Sequence, residues 1–91
     1  MKTRKKTTHV IVHCSDTASG SVAGFRRFHI TKRGFEDIGY HWVIGNGHGM
    51  PDGQMEPGRA ELLQGAHCIG YNNISVGICI VGDTDKTLPT K

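Results

Sequence analysis

The chain has no apolar run approaching the ~18 residues that a membrane-spanning helix needs. It has no Cys-x-x-Cys pair. Its three cysteines, Cys14, Cys68 and Cys79, are an odd set for a disulfide framework. It has no glycine-rich phosphate loop, no Ser-His-Asp order and no His-Glu-x-x-His pattern, which removes the common nucleotide, serine-hydrolase and zincin signatures. Aromatics are only 7% of the residues, but with 36% hydrophobic and 21% charged residues the composition is globular, neither disordered nor fibrous. Ninety-one residues allow one modest core. The basic start (Lys2, Arg4, Lys5, Lys6) is followed by a strand-like run too short for a signal-peptide apolar region. The product is therefore expected to stay in the cytoplasm where it is made.

Glycine and histidine are plentiful instead. Thirteen glycines point to many tight turns, and six histidines point to metal or acid–base chemistry. Net charge is +3, with four of the eleven basic residues in the first six positions. Such an arm can bind nucleic acid or another anionic polymer. No basic–aromatic interleaving continues beyond it, so nucleic acid is not the expected partner. Residues 1–7 read as a solvated, frayed terminus.

Residues 8–13, β-branched and apolar, read as a buried strand. A polar loop, Cys14 to Gly20, leads into a helix from Val22 to about Lys32. Val22, Phe25, Phe28 and His29 share one face of that helix, and Gly34 suits its end. Tyr40 to Ile44 reads as a second strand, and Asp52-Gly53 as a hairpin turn into a third strand near residues 54–56. Residues 59–64 suggest one helical turn. Residues 75–81 alternate as a central strand, with Gly77 marking a close approach. The order β-α-β-β-β calls for a mixed sheet. One sheet face has no helix in this sequence to cover it, although strands this apolar call for cover on both.

His13 stands at a strand end before a loop, where a neutral imidazole suits zinc as well as it suits partial burial. Cys14 points to the opposite face and cannot easily share its metal. Tyr40 is either a rim tyrosine of the core or a donor to a developing oxyanion. His67, in a glycine-flanked loop, and Asn72 are candidates for holding a polar ligand.

Taken together, the blocks are more specific. Val10 to Thr17, Phe28-His29-Ile30 with Arg33-Gly34-Phe35, Asp37 to Ile44, Asp52-Gly53 with Gly58-Arg59, and Gly65 to Asn72 with Ser75 to Gly82 resemble, in order, the type 2 N-acetylmuramoyl-L-alanine amidases. This superfamily includes phage endolysins and the peptidoglycan recognition proteins. The resemblance implies an α/β fold, a mixed β-sheet with flanking helices, and one zinc in a groove. It implies that residues 8–82 form a partial amidase domain between the arm and a polar tail, residues 83–91. By position, His13 is the first zinc ligand, Tyr40 the catalytic tyrosine, and His67 and Asn72 the groove residues that bind muropeptide. His29, His41, Cys68 and Cys79 fall at structural positions.

The bond cut in the family joins the lactyl group of N-acetylmuramic acid to L-alanine. Zinc lowers the pKa of bound water to about 7 and polarises the carbonyl. The family's other ligands, a His and a Cys or Asp, come from a segment well downstream of the block ending at Gly82, together with a covering helix. The remaining ligands are therefore expected beyond Lys91. The expectation is thus a piece of a longer zinc amidase, acting as a monomer on peptidoglycan after release, with no membrane partner. A muropeptide-binding module without hydrolysis is the alternative.

Overall fold

The computed structural model describes residues 1–82, so the polar tail from Asp83 to Lys91 lies outside the described residues. The elements are β1 (His9–Cys14), α1 (Val22–Lys32), β2 (Trp42–Ile44), β3 (Met55–Pro57) and β4 (Ser75–Ile80). They form one four-stranded sheet in the order β1-β4-β2-β3. β4 pairs in parallel with both β1 and β2, and β3 adds antiparallel to β2. The expected mixed sheet is thus found, with residues 75–80 as its central strand. No helix among the described residues is long and apolar enough to cross a membrane.

Helix α1 begins where Ser21, in an extended conformation, accepts a hydrogen bond from the Gly24 N–H at 3.0 Å. That cap satisfies one of the donors the first turn leaves open. The helix ends at Arg33, and Gly34 follows at φ +71, a conformation that suits glycine. Phe35 N–H then donates to the His29 carbonyl at 3.0 Å, turning the chain back. Val22 and His29 are the buried helix residues. Phe28, expected on the buried face, is 48% exposed. Its ring lies under the Arg33 guanidinium, 5.6 Å from the centroid, rather than in the core.

The core sits on one face of the sheet. Val22, Ile38, Val43, Met50, Cys79 and Val81 form it, with Phe25 and Tyr40 packed against it. On the opposite face Val10 and Val12 remain 61% and 58% exposed, so β1 is not the buried strand its composition suggests. No helix of the described residues covers that face, as the element order implies.

Three further local expectations need correction. The second strand begins at Trp42, not Tyr40. The Gly39 and Tyr40 carbonyls accept from Ala66 and Arg59 N–H, so this stretch pairs with a loop before it reaches the ladder. Residues 59–64 are not helical. Leu63 instead makes an antiparallel bridge with Thr3. The arm is therefore not frayed: Arg4 N–H donates to Leu62 O at 2.8 Å, and Gln64 N–H to Lys2 O at 2.8 Å.

Candidate active-site groove

β1 delivers His13 to the core face of the sheet, beside its register partner Cys79. Tyr40, just ahead of β2, places its ring 5.5 Å from that of His13. The loop before β4 brings His67 to the other side, with ring centroids 5.1 Å apart and His13 Nε2 2.9 Å from His67 Nδ1. His13, Tyr40 and His67 thus converge, although 54 residues separate the two histidines.

Glycines shape the seat of His67. A Cβ on Gly77 would lie 2.5 Å from its ring, and one on Gly65 would lie 2.7 Å from it. The close approach expected at Gly77 is the His67 ring itself. His41 closes the seat, its ring 5.8 Å from that of His67.

The hydrogen bonds fix the tautomers. Ser75 Oγ donates to Tyr71 O at 2.7 Å, so it accepts from His67 Nε2, 3.3 Å away. His67 Nδ1 is then the acceptor, and His13 Nε2 carries the proton between the rings. Neutral His13 is left with a lone pair on Nδ1. His41 Nδ1 accepts from Gly77 N–H at 3.0 Å, so its Nε2 donates to Leu63 O at 2.7 Å.

Burial holds these rings neutral. His67 is lowered to about 4, by desolvation first and then by the neighbouring His13 and His41. Burial also lowers His13. The Tyr40 phenol is pushed up to about 12, by burial and then by the Cys79 thiol, so it keeps its proton at neutral pH. It can only donate or accept a hydrogen bond there, not act as an anion.

Two cavities flank the convergence. One, of about 380 Å³, runs past Tyr40, Phe25, Phe28 and the hydroxyls of Ser15, Thr17 and Ser19. The other, of about 310 Å³, is lined by His67, Asn72, Phe35 and Ile69. Arg33 borders both. The Asn72 side-chain carbonyl accepts from the N–H groups of His67 (2.9 Å) and Cys68 (2.8 Å), which holds the loop, and Asn72 also lines the second cavity. Residue patterns do not single out the serine and threonine wall or Arg33. Their signal, a hydroxyl-rich loop before a helix and a basic helix end, is common to many surfaces.

The other histidines and cysteines do not add a third ligand: the His29 ring lies 5.4 Å from that of Tyr40, and Cys79 lies beside His13 and meets the Tyr40 hydroxyl. His29 Nδ1 accepts from Gly39 N–H at 2.8 Å, and His48 is exposed. Cys14 donates to Gly82 O, away from His13. A catalytic zinc needs about three protein ligands. His67 reaches His13, with Nδ1 2.9 Å from His13 Nε2. Even so, no group of three His, Cys, Asp or Glu residues among the described residues could hold a metal. The described residues therefore do not complete a zinc site. The ligands expected beyond Lys91 fall outside the described residues, which end at Gly82.

No family model matches the chain. It is 39% identical over 87 residues to the endolysin of Escherichia phage T7, covering 92% of this chain and 54% of that protein. It is 34% identical over 80 residues to the human N-acetylmuramoyl-L-alanine amidase, covering 86% of this chain and 13% of that protein. Among solved structures, a tyrosine-to-phenylalanine mutant of Drosophila PGRP-LB in complex with tracheal cytotoxin superposes with a TM-score of 0.81. The two are 31% identical, over all of this chain and 56% of that one. The chain spans about half the length of the endolysin it matches.

Proposed function

The chain belongs to the superfamily of phage endolysins, peptidoglycan-recognition proteins and N-acetylmuramoyl-L-alanine amidases, and from that premise we propose that its groove takes the muropeptide of peptidoglycan for hydrolysis of the amide between N-acetylmuramic acid and L-alanine. The observation that carries this reading is the convergence of His13, Tyr40 and His67 between two cavities. The hydroxyl-lined cavity with its aromatic wall suits a sugar. The cavity beside His67 and Asn72 suits a stem peptide. The complex of PGRP-LB with tracheal cytotoxin, a muropeptide, supports the same class of ligand.

The residues of this chain divide the work. Protonated Tyr40 donates a hydrogen bond to the carbonyl oxygen as negative charge develops on it. His67, neutral and seated between Gly65 and Gly77, holds His13 through its Nδ1 and presents its ring edge to the ligand. Asn72 fixes the loop that carries His67 and offers its amide N–H groups to peptide carbonyls. Zinc, the metal proposed for this reaction, supplies an activated water and a polarised carbonyl when bound. This chain's contribution to its binding is His13, and the remaining ligands would come from beyond Lys91. With so few ligands among the described residues, hydrolysis by the chain is expected to be slow.

The lack of a three-ligand group among the described residues favours a second reading, a groove that binds muropeptide without cutting it. Incubation with purified peptidoglycan, with added zinc and with a chelator, separates the two by mass spectrometry. Zinc-dependent release of stem peptides bearing a free L-alanine amino group identifies the amidase. Retention on the wall without release identifies the binding module. Neither retention nor release would overturn both.

A further inference from the structure

The basic arm is built into the molecule on the side that carries the groove loop. Thr3 bridges Leu63, Lys5 N–H donates to Asn73 O at 3.2 Å, and Thr8 N–H donates to Ile74 O at 2.8 Å. The arm therefore runs along both ends of the segment that holds His67 and Asn72. Arg4 is its one half-buried basic side chain, while Lys2, Lys5 and Lys6 face solvent. Its guanidinium donates to the carbonyls of Glu61 and Leu63, and its Nε donates to Thr7 Oγ1 at 2.8 Å.

Leu63 O is a shared acceptor. It accepts the Nε2 proton of His41, whose ring is almost fully buried, at 2.7 Å, and the Arg4 guanidinium lies against it at 3.5 Å, a long and weak contact. Arg4 Nη1 lies 3.4 Å from that same Nε2, and two donors side by side gain nothing from each other. Both are therefore directed at carbonyl oxygens. His41 in turn holds Gly77 N–H and walls the seat of His67. A continuous set of contacts leads from the arm to the groove.

We propose that the N-terminal arm is a positioning strap, in which Arg4, acting through Leu63 and His41, sets the ring of His67 in the groove. Its consequence for binding rests on the function proposed above, whereas its structural consequence does not. Hydrogen bonds from charged donors are stronger than those between neutral groups. Cutting the set that Arg4 makes to Glu61 O, Thr7 and Leu63 O should loosen the loop locally rather than melt the sheet.

The test is amide hydrogen exchange on the whole chain, read with muropeptide titration. Arg4→Ala should speed exchange at Gly77 and Gln64 by about tenfold, leave the β1–β4 ladder unchanged, and alter the contact between the His41 and His67 rings seen by NMR. Muropeptide affinity should fall by about the same factor, while Lys6→Ala changes neither. Arg4→Lys keeps the charge and loses the fork. It should show the same pattern at smaller size and serves if Arg4→Ala does not fold. Unchanged Gly77 exchange, or equal loss of protection throughout the sheet, would overturn the strap. Local loosening in a chain that binds no muropeptide would leave the strap standing and remove the proposed function.

Discussion

At the scale of single residues, the groove depends on neutral imidazoles in tight seats. The His67 ring occupies space that a Cβ on Gly77 would take. Gly77→Ala should therefore displace it and cost about 1–3 kcal/mol by overpacking, read as a lower urea midpoint. An unchanged midpoint would mean that the seat is not tight. Proton linkage gives a second prediction. The folded pKa of His67 lies at about 4, below the ordinary 6.5, so the unfolded chain binds more protons between those values. The stability this group contributes is fully present above pH 6.5 and is lost as pH falls toward 4. His13, His29 and His41 are lowered too and add in the same direction. The urea midpoint should fall between pH 7 and pH 5, and His67→Gln should flatten that fall. Zinc gives a third: with one ligand and a neighbouring imidazole, the chain should bind it weakly. Stoichiometric binding at submicromolar concentration would contradict the assignment of the other ligands to a segment beyond Lys91.

At the scale of elements, what is legible in the sequence depends on whether the signal is local. The β-branched run before Cys14 and the alternation from Ser75 to Ile80 mark the two long strands, and Ser21 and Gly34 bound the helix from either side. Tyr40 falls outside the strand its sequence suggests because its carbonyl goes to Arg59, a partner 19 positions on that no periodicity announces. The arm has the composition of a frayed end because its attachment is made largely by backbone groups, which leave no side-chain pattern. The meeting of His13 and His67 lies beyond residue spacing for the same reason. His13, Tyr40, His67 and Asn72 stand out singly as candidates in the sequence, but only the family resemblance joins them into one site, and the pairing of β1 with β4 brings His13 to the loop that carries His67. The helix start offers a plain check: Ser21→Ala removes the Gly24 N–H acceptor and should cost about 1 kcal/mol.

At the scale of the whole molecule, the sheet is two-sided in character. One face carries the core, the helix and the groove, while Val10 and Val12 on the other stay largely in water. Threonine at either position should shift stability by no more than about 0.5 kcal/mol, in contrast to Gly77→Ala across the sheet. What the groove holds decides the function. The most direct measurement is an NMR titration of the chain with a synthetic N-acetylmuramoyl peptide. Saturable shifts centred on His13, Tyr40, His67 and Asn72, lost in His67→Ala, are the predicted result. No binding, or shifts confined to a surface away from these four residues, would contradict it.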